Sequence, residues 1–372
     1  MTALALLSLL AWVYLLTAHG GFWRSGPELP PGRPLHAPAV AVVVPARDEA
    51  PFVEASLRSL LGQDYAGPFR VILVDDGSTD GTGAIARGIA NEKLTVLTGR
   101  PRPAGWSGKL WALAQGVAEA GEAEFVLLTD ADILHDPRHL SALVARAEEA
   151  GLDLVSEMVA LACETPAERA LVPAFVYFFQ LLYPFARVNA PARSTAAAAG
   201  GTVLVRARAL AGIGGLAAMR GDLIDDVGLA TRIKARGPIW LGHSALARSV
   251  RPYPAFADIW RMIARTAFVQ LRYSLGLLAA TVLGLALVFL VPPAAAIAGA
   301  GFARLFGFVA WFLMAGSFVP TLRRYRRSWR WGLALPAIAA FYMAATVGSA
   351  VDHLRGRGVV WKGRAYRAEA GA

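Results

Sequence analysis

Residues 273–303 carry no charged side chain, and neither do residues 305–322 or 331–351. An α-helix needs about 20 apolar residues to cross the hydrocarbon core of a bilayer. These runs therefore predict three C-terminal transmembrane helices within 273–351, with Pro292 and Pro293 breaking or ending the first. Composition agrees: hydrophobic residues make up 56% of the 372 and mean hydropathy is +0.46, too apolar for an ordinary soluble domain. Residues 2–18 are also uncharged. No basic stretch precedes them and no A-x-A site stands out, so 1–20 reads as an uncleaved N-terminal span rather than a signal peptide.

The formal net charge is +10. Such a balance suits either nucleic acid or an anionic membrane surface. The arginines flank apolar runs and no zinc finger or other nucleic-acid motif is present, so a lipid bilayer is the expected partner and nucleic acid is not. Arg24 and Arg33 place the segment after the first span in the cytoplasm. That expectation makes a multi-pass membrane protein with the unit after the first span facing the cytoplasm. Two further basic clusters conflict. Arg323, Arg324, Arg326, Arg327 and Arg330 fill one loop, and Arg355, Arg357, Lys362, Arg364 and Arg367 fill the tail, 352–372. If 331–351 crosses fully, both clusters cannot lie inside. Either one run is re-entrant or the tail breaks the rule. The one cysteine, Cys163, excludes an intrachain disulfide and reads as a small buried apolar residue.

Residues 25–38 are a Pro- and Gly-rich linker. Then AVAVVV (39–44), RVILV (70–74), LTVL (94–97) and EFVLLT (124–129) read as strands, and 49–62, 79–91, 107–120 and 137–150 as helices between them. Strands this apolar are buried on both faces, so the alternation predicts an α/β domain over 38–255 with a mostly parallel, helix-covered sheet. An interfacial segment follows at 256–272. Residues 166–190, aromatic and interrupted by proline, read either as a core helix or as a segment lying on the bilayer.

Polar motifs sit where the strands end, which is where such sheets bind ligands. VVVPARDEA (42–50) ends the first strand, VDDGSTDGT (74–82) the second and TDAD (129–132) the fourth. Asp130 and Asp132 just past a buried strand are costly unless solvated or bound to something. Two hard oxygen ligands suit Mg²⁺ or Mn²⁺, which can grip a diphosphate; a solvated turn is the alternative. Asp75 and Asp76 precede Gly77, and a carboxylate there can accept from a uracil N–H or cap an Asx turn. Lys109 opens a helix in GWSGKLWAL (105–113), where the helix dipole disfavours a cation; a bound phosphate would account for it, a surface lysine being the alternative. Trp106 and Trp111 are core or acceptor wall. Further on come AAGGTVLVRARALAGIGGL (198–216) and LIDDVGLATRIKARG (223–237), whose Asp225 and Asp226 either serve catalysis or cap a helix.

This ordered set resembles the family 2 glycosyltransferases, which have a nucleotide-diphospho-sugar transferase (GT-A, Rossmann-like) fold. The resemblance implies a nucleotide-sugar donor, with uridine favoured. It gives Asp75 and Asp76 to the base, with Pro45, Ala46, Arg47 and Glu49 lining the same pocket. Asp132 becomes the ligand of Mg²⁺ or Mn²⁺, with Asp130 at the ribose and metal shell, and Lys109 meets the donor diphosphate. Asp226 is the general base and Asp225 its acidic neighbour. Gly200, Gly201, Arg261 and Arg265 fall on the acceptor or phosphate side. His243 is either a third metal ligand or a structural histidine. Asp48 stands where many relatives have Asn, and Asp225 where they have Glu. Arg261 and Arg265 are four apart and Thr266 replaces Trp, which departs from the motif of processive synthases. The pieces GWSGKLWA, IDDVGLATRIKARG, RMIARTAFVQLRYS and VVWKGRAY are similar to the bacterial hopanoid-biosynthesis-associated glycosyltransferases, relatives of ceramide glucosyltransferases, and imply a membrane lipid acceptor. A polyprenyl-phosphate sugar synthase is the main alternative. A binding-only scaffold and a nucleotidyltransferase are the others.

Overall fold

A strand inside a helix-covered sheet has no wet side, and Val40–Ala46 (β1) is buried at every position. Each valine so buried contributes about 1.5–3 kcal/mol. A computed structural model describes residues 1–222, 224–356, 359–361 and 364–366. Its further strands are Phe69–Asp75 (β2), Leu94–Thr98 (β3), Phe125–Thr129 (β4), Ile133–His135 (β5), Leu154–Ala160 (β6), Thr202–Arg206 (β7) and Ile239–Ser249 (β8). Together they form one sheet in the order β3-β2-β1-β4-β7-β6-β8-β5. β1 lies parallel to β2 and β4, and β2 to β3. The other half is mixed: β7 is antiparallel to β4 and β6, and β5 to β8. Because β2, β1 and β4 run the same way, Asp75, Ala46 and Thr129 end on one edge.

The covering helices follow their patterns. Val53, Leu57 and Leu60 form the buried stripe of helix Ala50–Leu61. Ser107 caps helix Gly108–Ala118, its Oγ accepting from Leu110 N.

A second core holds Trp12, Tyr177, Phe289, Phe318 and Tyr342. Among the described residues, Pro166–Val188, Leu275–Ala298, Phe302–Arg324 and Trp329–Leu354 are long and apolar enough to cross a membrane; Thr2–Thr17 is apolar but shorter. Pro292 and Pro293 do not break the run they sit in. They fall in the first turn of Val291–Ala298, and the π-turn Ala286–Leu290 just ahead carries the helix past the missing N–H groups. Helix Pro166–Leu182 proves to be a core helix. A capping box of Thr165 and Glu168 starts it, and Tyr177 Oη lies 2.7 Å from Ser317 Oγ deep in the bundle.

Helix Phe302–Arg324 ends beside the catalytic unit, with Arg324 Nη1 3.0 Å from Glu28 Oε2. The chain then turns back. Gly332 packs on the Ala315 backbone, and Trp311 Nε1 donates to Leu333 O at 3.3 Å, so helix Leu335–Leu354 begins beside the middle of its predecessor. Its last turn stacks His353 on Tyr273, just ahead of Leu275–Leu285. That run, through Val291–Ala298, packs as a hairpin against Phe302–Arg324. Arg324 and Arg355 thus end on the same side. Of the tail, Val359–Trp361 and Arg364–Tyr366 pair antiparallel; Arg357, Lys362 and Arg367 lie outside the described residues.

Candidate active site

Three chain segments bring the acids and Lys109 together. TDAD leaves β4, Lys109 sits in the first turn of its helix, and Asp225 and Asp226 open helix Asp225–Lys234. Lys109 Nζ is 2.8 Å from Asp130 Oδ1 and 3.9 Å from Asp225 Oδ2. Burial alone would lower the lysine's pKa, but Asp130, Asp225 and Asp226 outweigh it and raise it above the ordinary range. These carboxylates account for a cation in the first turn of a helix without a bound phosphate. With Gly200 they line a cavity of ≈ 20 Å³, room for about one water.

Asp226 is fixed from two sides. Gly200 N donates to Oδ2 and Val227 N to Oδ1, both at 2.8 Å. A Cβ on Gly200 would stand 3.1 Å from Asp226 Oδ2 and 3.4 Å from Lys109 Nζ, so a side chain there would crowd both groups. Burial first, and Asp225 second, push the Asp226 carboxyl up to about 6, against the pull of Lys109. Since this lies above the ordinary 3.8, the charged form is a cost to the fold that is relieved as pH falls through about 6. A base with this pKa gives a definite acid limb: kcat/KM falls about tenfold per pH unit below about 6, read from a pH–rate profile. A profile flat to pH 4.5 would contradict the assignment.

Gly201 faces elsewhere. Its carbonyl accepts from Thr129 Oγ1 at 2.8 Å, and its Cα side meets Val159 and Ile133. It ties TDAD to the glycine loop and is absent from the wall of that one-water cavity. Behind Thr129 runs a buried chain that the sequence did not announce. Thr129 Oγ1 lies 3.2 Å from His135 Nε2, His135 Nδ1 lies 2.8 Å from His139 Nδ1, and His139 Nε2 contacts Glu157.

The neighbouring strand ends build a second group. Asp75 Oδ1 accepts from Ser78 N at 3.0 Å, so Asp75 is the Asx cap of the pair. Asp76 Oδ2 lies 3.9 Å from Arg47 Nη1, which also donates to the Asp76 carbonyl. Pro45 and Ala46 pair with Val74 and Asp75. Asp48 has φ +51°, a left-handed conformation that Asn and Asp tolerate best, which accounts for their exchange at this position.

Asp132 has a partner that the sequence reading missed. Arg251, two residues beyond β8, donates from Nε to Asp132 Oδ2 at 2.5 Å and from Nη2 to both Glu49 oxygens. Its guanidinium lies 5.2 Å from the Phe52 ring. The logic that selected Asp130 was available here too, since Arg251 is a charge just past a long buried strand. Burial, then Asp130, push the Asp132 carboxyl up, and Arg251 opposes them. A divalent ion fits this donor set in one form. Asp130 and Asp132 supply hard oxygens, but no group of three or more His, Cys, Asp or Glu among the described residues is placed to hold an ion. The remaining ligands must come from substrate phosphate and water, as is usual for Mg²⁺.

One other expectation is corrected. His243 is not at the acids. Its Nε2 lies 3.4 Å from Ser25 Oγ and from Gln180 Oε1, beneath Phe185, and burial and then Arg324 push its imidazole down to about 3. It is a structural histidine. Arg261 is exposed on helix Phe256–Ala264 and pairs with Asp258 at 2.5 Å. Arg265 has no ion pair among the described residues and acts electrostatically on Tyr253, as Asp130 and Asp132 do. Trp106 and Trp111 pack edge to face, half-buried, at 5.2 Å.

Residues 41–214 match the family model described as Glycosyl transferase family 2. A mannosyltransferase from Pyrobaculum calidifontis, solved with GDP-Man and Mn²⁺, aligns over 94% of this chain and 99% of its own, at 21% identity and TM-score 0.60, which shows a shared fold. S. aureus TarS 1-349 with UDP-GlcNAc aligns over 90% and 98% at 15% identity, with TM-score 0.42, too low to argue from. Asp225 and Asp226 lie beyond the matched segment, so their assignment rests on geometry. Residues 41–214 form a glycosyl transferase family 2 domain of GT-A fold, and the protein is a glycosyltransferase.

Proposed function

We propose that the protein transfers a sugar from a nucleotide-sugar donor, a UDP-sugar first, to a hydroxyl of a membrane lipid of the hopanoid type, with inversion at the anomeric carbon. The observation that carries this reading is Asp226, a buried carboxylate held by Gly200 N and Val227 N beside Lys109 and Asp130. In one displacement Asp226 takes the acceptor hydroxyl proton, the acceptor oxygen bonds to the anomeric carbon, and the bond to the diphosphate breaks, its electrons leaving with the diphosphate. Lys109 offsets charge on that leaving group. Asp76 and Arg47 face the nucleoside, with Asp75 shaping the turn beneath them. A bound Mg²⁺ or Mn²⁺ would be held by Asp130 and Asp132 and would supply further positive charge at the diphosphate. The apolar helices support a lipid acceptor, because a soluble one would not call for them.

A phosphate-bearing acceptor, such as a polyprenyl phosphate, is the second reading. Arg265 favours it, as a cation near enough to act on Tyr253, which also feels Asp130 and Asp132. Incubating purified protein with UDP- or GDP-sugars and a bacterial lipid extract, then weighing the lipids by mass spectrometry, separates the two. A hexose added to a neutral lipid is expected. A hexose on a polyprenyl phosphate selects the second reading, and no glycosylated lipid with any donor sinks both.

A further inference from the structure

Away from the acids, a cavity of ≈ 640 Å³ opens where the N-terminal linker, the end of β6, β8 near His243 and the last turn of helix Phe302–Arg324 meet. Three arginines line it: Arg24, Arg323 and Arg324. Glu28 is the one carboxylate in its wall, and it is paired with Arg324 at 3.0 Å. Arg24 and Arg323 are exposed and carry no ion pair among the described residues, although Arg24 lies 5.4 Å from the Trp23 ring. His243 stays neutral at physiological pH. The cavity therefore has two positive charges in excess.

Its depth is set by the helix that ends in it. Phe302–Arg324 is long and apolar enough to cross a bilayer, and its final turn carries Arg323 and Arg324. Basic residues at the end of such a helix stand at the level of lipid headgroups. Guanidinium groups bind phosphate oxygens in pairs, and basic pockets between membrane helices suit anionic headgroups. The volume lies within the range of small-ligand pockets.

We propose that this cavity binds the phosphate-bearing headgroup of an anionic membrane lipid, separately from the sugar-transfer site. The proposal rests on the reading of the chain as membrane-embedded but not on any donor or acceptor. The site is also wired to the active centre. Val159 lines the cavity and lies 3.2 Å from the Cβ position of Gly201, whose carbonyl holds Thr129. A headgroup here would brace the glycine loop from behind.

The test is lipid binding, which needs no turnover. Delipidated full-length protein in detergent is titrated with phosphatidylglycerol, with phosphatidylcholine and with inorganic phosphate, and occupancy is read by native mass spectrometry. Each arginine at such a surface is worth about fivefold in affinity. Wild type should prefer phosphatidylglycerol, and the double variant Arg24→Ala, Arg323→Ala should lose about thirtyfold. The control double variant Arg326→Asn, Arg330→Ala removes equal charge from the chain just after Arg324, outside the cavity, and should lose far less. Equal losses in the two variants would mean diffuse surface attraction and overturn the site. So would equal binding of both lipids by wild type, or displacement of phosphatidylglycerol by equimolar inorganic phosphate, which would make this a soluble-phosphate site. Absence of sugar transfer in a separate assay would count against the proposed activity and leave this result standing.

Discussion

Asp226→Asn lowers the turnover of sugar transfer by about 10²–10⁴-fold while donor binding persists, the expected cost of removing a positioned general base. Asparagine keeps the size of the side chain and one acceptor oxygen, enough for Gly200 N or for Val227 N, so one of the two 2.8 Å backbone bonds is kept and the other is given up. What is lost is the ability to take a proton. Donor affinity is read by calorimetry and turnover by product formation. Near-normal turnover in this variant would remove Asp226 from the mechanism and return it to helix capping. Loss of donor binding as well would mean that its carboxylate holds Lys109 and Asp130 in place rather than the acceptor proton.

The second large effect is expected at Asp132. Asp132→Ala weakens metal-dependent donor binding by about 10- to 100-fold or more, since even outer-shell partners of a metal are worth that much. The variant also leaves Arg251 with Glu49 alone, so the Mn²⁺ dependence of donor affinity must be followed rather than activity. A titration in which Asp132→Ala binds donor with an unchanged Mn²⁺ requirement would move the ligand elsewhere. In the structure Arg251 Nε donates to Asp132 Oδ2. A metal held by Asp132 would share that carboxylate with Arg251 or displace it.

Much of the parallel half of the sheet was legible in the sequence because its strands have no polar face. AVAVVV and EFVLLT can be little else, and motifs at their ends could be placed before any coordinates. The mixed half was not, because β5, β6, β7 and β8 pair across long separations that no local pattern records. Ile133–His135, for example, pairs with Ala247–Ser249. Arg251 was missed for the same reason: its contacts with Asp132 and Glu49 span 119 and 202 residues. His243 was left between a metal ligand and a structural role, and its contacts with Ser25 and Gln180, which no local pattern records, decide for the second. Of the paired acids, spacing could say that one would cap a turn but not that Asp75 would. The relation of the two arginine clusters was legible only as a contradiction, and packing at Ala315 and Tyr273 brings Arg324 and Arg355 to one side of the helices.

The central claim is lipid-dependent sugar transfer through Asp226. The measurement that tests it most directly is release of nucleoside diphosphate from a panel of UDP-, GDP- and dTDP-sugars, with wild type and Asp226→Asn side by side, with and without bacterial lipid extract. The expected result is release from one donor, stimulated by lipid in wild type and absent in the variant. Release indifferent to lipid and to Asp226, or release of pyrophosphate in its place, would contradict it.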